Sequence, residues 1–359
     1  LSGGLIDYAF IYWREKTSVH PQIERRGFLI PLHSDLARSA DPAPIAWNHA
    51  FEELRGVKGL ELRRSDSQLV IDFDVSSPGP ILRELMRAES SRTESHIQRM
   101  NDERVALIQQ LSELDHPVVV PHHEGWHSEE LIARVERFAQ VQKADLFYPR
   151  RIVSGRSVSL PPNANWWGRQ IYRKVGRDWF PAYNKNGNAF RTGDGGLFRE
   201  ISPSVHIASV LLKGNPQVET LEAKGLRHFF VGKGNFYRPH LSNLLGFPVF
   251  MKHPHPDLFV GAVGRVLLAD HDFLAENQWP LTQAAALAGK EIIAVPVEEQ
   301  RLHPACFLVL GPNECLVECR ATKTIRLLKE KGVKAIPTAV QMVEHAIGGG
   351  GPDCTANEI

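Results

Sequence analysis

The sequence predicts an α/β fold in which repeated ββαβ units, from Asp115 to Ile359, close into a ring, with a helix-rich region ahead of them. Three observations lead there. First, two stretches repeat each other, one beginning His255-Pro-Asp-Leu-Phe259 and the other His303-Pro-Ala-Cys-Phe307. Each continues as an apolar strand, a glycine turn (Gly264, Gly311), a second strand (RVLLA, ECLVE), a helix (TQAAALAGK, TIRLLKEKG) and a short strand ending in proline (Pro296, Pro337). Self-similarity at such a period marks an array of one supersecondary unit. Second, SPSVHIASVLLKG from Ser202 begins a weaker third copy. Third, units of this size fit about five times between Asp115 and Ile359, the length that a closed ring of them needs.

Residues 1–114 have a different texture and form the expected amino-terminal region, packed outside the ring. Leu69–Val75, LVIDFDV, reads as a strand. Pro78–Leu114 is rich in Glu, Arg, Leu and Gln, so it is expected to be helical, in one long piece or two, with much of its surface in water. No chemical motif stands out in this region. The second unit, 115–359, opens with the strand HPVVVP. Ser128 then caps a helix, EELIARVERFAQVQ, and DLFYP is the next strand.

The totals narrow the function. Of 359 residues, 43% are apolar and 23% charged, and the formal net charge is +1. No global field draws in nucleic acid or a membrane surface, and no run of about twenty apolar residues could span a bilayer. LSGGLIDYAFIYWREK lacks a basic segment ahead of a long apolar stretch, so no signal peptide is expected there. Four cysteines (Cys306, Cys315, Cys319, Cys354) are too few and too clustered for a disulfide framework. A reduced, cytoplasmic protein follows from this reading.

Comparison of the two repeat copies singles out one carboxylate. Asp257 in the first copy corresponds to Ala305 in the second, so the scaffold does not require it. In His255-Pro256-Asp257 the proline favours extended backbone, where i and i+2 share a face and an imidazole and a carboxylate project side by side. A strand-edge pair bonded to backbone is the plainer alternative. Arg177-Asp178, in GRDWFP, precedes an aromatic residue and a proline, as at the mouth of a loop, and a surface ion pair accounts for it equally. Asp194, in TGDGGLF, is followed by two glycines that let backbone pass close to another group, although an Asp-Gly hairpin turn has the same signature. Cys354 follows a run of four glycines, Gly348–Gly351, and Pro352. Such a run is commonly a linker, but proline stiffens the approach.

Taken in order, Arg-Asp, Asp-Gly-Gly, His-x-Asp and a late Gly-Gly-x-x-Cys resemble the guanidine-modifying superfamily. It contains arginine deiminase, agmatine deiminase, dimethylarginine dimethylaminohydrolase and the amidinotransferases. The resemblance covers about Asp115–Ile359. It implies the pentein fold, a five-bladed pseudosymmetric α/β propeller. It further implies that Cys354 attacks a guanidinium carbon as thiolate, that His255 moves protons, and that Asp194 orients the imidazole. Asp178 and Asp257, with Arg177 alongside, would bind the guanidinium. The implied partner is a small guanidino compound, with no cofactor and no metal.

Two departures matter. Many relatives have Glu-Gly-Gly-Asp where this chain has Asp194-Gly-Gly-Leu197. Asp353 directly precedes Cys354, and an adjacent anion raises a thiol pKa. By the resemblance, an aspartate in the Asp194 role is found in the amidinotransferases and in some hydrolases, so the reading leans to an amidinotransferase and keeps a guanidine hydrolase as the alternative. Two readings of other classes remain. HEGWH, His123–His127, matches the zinc-protease pattern H-E-x-x-H, but that motif needs a helix and here falls between strand and helix. His303, Cys306, Cys315 and Cys319 could form a zinc site, against small core residues in an apolar strand. The other class is a non-catalytic binding protein on the same scaffold.

Overall fold

The structure is a computed structural model. It describes residues 26–30, 32, 53–55, 57, 60–63, 68–72, 79–90, 94–122, 127–143, 152–154, 157–160, 178–181, 195–214, 216–223, 225–338, 340 and 351–358.

The amino-terminal region contributes strands β1 (Phe28–Leu29), β2 (Leu60–Arg63) and β3 (Gln68–Asp72), then helices α1 (Pro80–Ser90) and α2 (Glu94–Glu113). The helical stretch expected over Pro78–Leu114 is therefore two helices. Next come β4 (Val118–His122), α3 (Glu129–Val135) and β5 (Gln140–Lys143). Ser128 caps α3 as expected, its hydroxyl accepting from the Leu131 N–H at 3.3 Å. The helix is shorter than the sequence suggested. It stops at Val135, and Gln140–Lys143 leaves the helical path to run parallel to β4. Val141 still reaches the same core from this strand, so tertiary pairing wins over local helix propensity. DLFYP lies outside the described residues.

The chain continues through β6 (Ile152–Ser154), β7 (Ser157–Leu160) and β8 (Asp178–Pro181). A further unit holds β9 (Phe198–Ser202), β10 (Val205–Ser209), α4 (Pro216–Ala223) and β11 (Arg227–Val231). After it come β12 (Gly234–Tyr237), α5 (Pro239–Leu245) and β13 (Val249–His253). The first HPxxF copy contains β14 (Val260–Val263), β15 (Val266–Ala269), α6 (His271–Glu276), α7 (Gln278–Leu287) and β16 (Glu291–Ala294). The second contains β17 (Leu308–Gly311), β18 (Glu314–Glu318), α8 (Thr322–Glu330) and β19 (Lys334–Thr338). The last elements described are α9 (Pro352–Thr355) and β20 (Asn357–Glu358).

The result is a mixed α/β fold of several small sheets. Sheets β6-β7-β8, β9-β10-β11, β14-β15-β16 and β17-β18-β19 share one pattern: an antiparallel pair whose second strand takes a parallel third. A parallel return demands a crossover. Helix α4, the pair α6–α7 and helix α8 supply it in the last three of these sheets. The repeat read from the sequence is thus a repeat of topology. One detail differs. The hairpin of the second copy turns at Pro312-Asn313, and Gly311 ends its strand, whereas Gly264 makes the turn of the first copy at φ +54°.

Two further sheets draw strands from both sides of residue 114. In one, β1 pairs in parallel with β4 and antiparallel with β20. In the other, β3 pairs in parallel with β13 and antiparallel with β2.

Neighbouring units interlock through the phenylalanine of HPxxF. Phe259 lies over Gly234 of β12, where a Cβ would come within 2.5 Å of the ring. Phe307 lies over Gly261 of β14, where the same clearance is 2.4 Å. Both rings are fully buried. The motif that revealed the repeat is therefore a packing device between units, and the histidine and aspartate beside it are carried on its rigid base.

Candidate active site

His255 leaves β13 through Pro254 with extended backbone, φ −89° and ψ 103°. The chain does not stay extended, as the sequence suggested. Pro256–Leu258 forms a single 3₁₀ turn, closed by the Phe259 N–H to the Pro256 carbonyl at 3.0 Å. Proline suits the first position of such a turn because its fixed φ is already helical. The side-by-side arrangement survives by this different route. His255 Nδ1 lies 3.9 Å from Asp257 Oδ1, and each residue is only 6% exposed. That distance is an electrostatic contact and exceeds a hydrogen bond. The ring of His253 stands edge-on to that of His255, 4.3 Å between centroids.

Gly196, of the Asp-Gly-Gly motif, meets this imidazole. Gly195–Leu197 is a 3₁₀ turn leading into β9, not a hairpin turn. Gly196 lies directly against His255: a Cβ there would sit 2.4 Å from Nδ1. Glycine is required by close approach. Asp194 and Arg177 fall outside the described residues, and Asp178 begins strand β8.

Cys354 arrives from the far end of the sequence on α9, one helical turn with Gly351 before it and Pro352 at its first position. The Thr355 hydroxyl donates to the Pro352 carbonyl at 2.7 Å and tightens that turn. The turn is docked on Cys306. Gly351 N–H donates to Cys306 Sγ at 3.3 Å, Asp353 N–H to the Cys306 carbonyl at 3.4 Å, and a Cβ on Gly351 would come within 2.3 Å of that carbonyl oxygen. The last glycine of the run thus serves contact, and β20 pairs with β1 immediately beyond. Cys354 is 8% exposed; its Sγ lies 3.9 Å from Asp257 Oδ2 and 3.2 Å from Cys306 Sγ.

The anion that the sequence set beside the cysteine has a partner. Asp353 Oδ2 accepts from Arg199 Nη1 at 2.6 Å, and Arg199 Nη2 reaches the Phe307 carbonyl at 3.4 Å. Burial opposes the charge on Arg199. The negative potential of Asp353, then Cys306, Asp257 and Cys354, outweighs it and raises the guanidinium pKa above its ordinary value. Arg199 is therefore a fixed buried cation serving this cluster.

His255, Asp257 and Cys354 come together from the residues the sequence singled out. Arg199, Cys306 and His253 join them without having been singled out for this site. A signal existed for Cys306, because it follows Ala305, the repeat equivalent of Asp257, and equivalent positions of packed repeats lie near one another. Arg199 follows the Asp-Gly-Gly segment by three residues, but an arginine on a strand carries no signature of its own.

The alternative constellations fare differently. His123–Trp126 of HEGWH lie outside the described residues, and α3 starts beyond the motif at Glu129. Among the described residues, no group of three or more His, Cys, Asp and Glu could hold a metal. Cys315 is buried in β18, its thiol pKa pushed up to about 12 by burial and then by Glu314, while Cys306 lies with Cys354. No helix among the described residues is long and apolar enough to cross a membrane.

No protein-family model matches the sequence, and no curated protein matches it. Solved structures do match in fold. A proposed peptidyl-arginine deiminase is similar with a TM-score of 0.51 at 12% identity, over 82% of this chain and 96% of its own. An amidinotransferase of the saxitoxin biosynthetic pathway, from Microseira wollei, is similar with a TM-score of 0.50 at 12% identity, over 93% of this chain and 94% of its own. These structures belong to the guanidine-modifying pentein superfamily, and this chain shares their mixed α/β fold.

Proposed function

We propose that this protein modifies guanidino groups through a covalent amidino-cysteine intermediate on Cys354, as an amidinotransferase acting on arginine or a related guanidino compound. The observation that carries the reading is the meeting of Cys354 with Asp257, 97 positions before it, and with the neighbouring His255 at one buried spot. The shared fold is consistent with it. In this reading the ββαβ units are the blades of a five-bladed ring around the site.

The resting thiol of Cys354 faces the Asp257 carboxylate, which favours its protonated form. A guanidinium cation would displace that contact. Asp257, with Asp178, would take the planar cation by charge-assisted hydrogen bonds, and the added positive charge would drive the thiol proton onto His255. The thiolate then attacks the guanidinium carbon. The carbon–nitrogen bond to the donor amine breaks, and the amine leaves with a proton from His255. His255 next takes a proton from the incoming amine, which attacks the same carbon and expels the sulfur. Water entering in place of the amine would make the enzyme a hydrolase. Asp194, two residues before the glycine that touches His255, would orient the imidazole. Arg199 would hold Asp353 away from the sulfur's electrostatics.

Products from a panel of guanidino compounds test the reading, amidino transfer being scored against release of citrulline, urea or ammonia. Mass spectrometry of the quenched reaction should find the amidino group on Cys354. An adduct elsewhere, or none at substantial turnover, overturns it.

Two substitutions follow. Asp257→Ala removes a buried partner of the cation, so guanidinium affinity should fall by about 3–5 kcal/mol, measured by calorimetry with a guanidino ligand. Undiminished affinity would remove Asp257 from recognition. Gly196→Ala should displace the imidazole, since its Cβ has no room beside Nδ1. Displacement on the order of 1 Å should lower kcat by about 10²-fold while leaving KM nearly unchanged. Steady-state kinetics with unchanged kcat would sever this glycine from the chemistry.

A further inference from the structure

The reaction proposed above uses one thiol, yet a second lies in contact with it. Cys306 Sγ is 3.2 Å from Cys354 Sγ, and both cysteines are free thiols. A disulfide bond is about 2.05 Å long, so the sulfurs need to close by only about 1 Å. The backbone holds them in this relation. The Gly351 N–H and the Asp353 N–H both bond to Cys306, so the turn carrying Cys354 is pinned onto the residue that supplies the other sulfur.

The two thiols are not equivalent. Cys354 retains 8% of its surface and Cys306 none, so a small oxidant meets Cys354 first. Arg199 places positive potential on both sulfurs, and the Gly351 N–H donates to that of Cys306. The thiolate is the form in which each sulfur reacts.

We propose that Cys306 is a resolving cysteine, and that a hydroperoxide converts Cys306 and Cys354 into a reversible disulfide that switches the site off. The Cys354 thiolate attacks one peroxide oxygen. A sulfur–oxygen bond forms, the oxygen–oxygen bond breaks, and the departing alkoxide, or hydroxide from hydrogen peroxide, takes up a proton. Cys354 is then a sulfenic acid, oxidised by two electrons. The Cys306 thiolate attacks that sulfur, the sulfur–sulfur bond forms, and hydroxide leaves to become water with the proton lost from the Cys306 thiol. The sum is two thiols and a hydroperoxide giving a disulfide, an alcohol (or water) and water. The disulfide stands on the geometry alone; only its effect on turnover rests on the proposed function.

The test treats the full, reduced protein with hydrogen peroxide and maps its peptides without reduction. The expected result is a Cys306–Cys354 cross-link with the loss of two hydrogens, cleaved by dithiothreitol with full recovery of turnover. Cys306→Ala should be inactivated by the same dose, with Cys354 carried on to the sulfinic acid and turnover not restored. Cys306→Ser, closer in size, serves if the alanine variant does not fold. The proposal is overturned if the parent protein accumulates sulfinic acid at Cys354 while Cys306 stays a free thiol. A cross-link through Cys315 or Cys319 instead also overturns it. Peptide mapping needs no turnover, so the two readings fail separately. A cross-link in a protein whose Cys354→Ser variant keeps full activity refutes the guanidino chemistry alone, whereas an inactive serine variant without any cross-link in the parent refutes the switch alone.

Discussion

Cys354→Ser is expected to abolish turnover while leaving guanidino binding largely intact. A serine hydroxyl is a far weaker acid than a thiol and hardly ionises beside Asp257, and it is a far weaker nucleophile toward a resonance-stabilised guanidinium carbon than a thiolate. Loss of a nucleophile that works as a unit with its acid–base partner should lower kcat by roughly 10⁴-fold or more. Binding should persist, because recognition is assigned to Asp178 and Asp257. The serine also removes a contact on Cys306, so stability should be measured alongside. A serine variant with undiminished kcat would refute Cys354 as nucleophile. A variant that folds but no longer binds the ligand would show that the sulfur contributes to recognition.

Arg199→Met is expected to cost about 2–4 kcal/mol of folding stability, toward the low side of a fully buried pair, because it leaves Asp353 as an unpaired, partly buried charge. The pair is well shielded, with side chains 10% and 20% exposed, so solvent screening relieves only part of that cost. The damage should extend to the site. Asp353 is adjacent to Cys354, and without its cation the carboxylate would press on the thiol and on Asp257. Urea denaturation reads the first effect; the pH dependence of thiol alkylation reads the second, moving to higher pH. Arg199→Met combined with Asp353→Leu removes both charges and should recover most of the stability. A single variant within about 1 kcal/mol of the parent would show that the ion pair is not needed to keep Asp353 in place.

The fate of particular residues shows what could be read without a structure. The ββαβ repeat was legible because the phenylalanine of each HPxxF has one job in both copies, filling the space over a glycine of the neighbouring unit. Ser128 was legible as a cap because capping is local hydrogen-bond chemistry. The difference between Asp257 and Ala305 marked one copy as special, since identical packing duties make a lone carboxylate conspicuous. Local propensity misread Gln140–Gln142 as helix, because the strand they belong to exists only through its pairing with β4.

By itself, the sequence determined the repeat, its order of elements and the pairing of an imidazole with a carboxylate at His255 and Asp257. These depend on periodicity and on neighbours within a few residues. The tertiary structure alone decided that β1 and β3 join sheets of the later units, that Arg199 neutralises Asp353, and that Cys306 touches Cys354. Each of these joins residues from 48 to 180 positions apart by packing and charge, for example Arg199 with Asp353 at a separation of 154. No local pattern encodes such a pairing, because the energy of a buried charge or a close sulfur contact depends on what the rest of the fold places beside it.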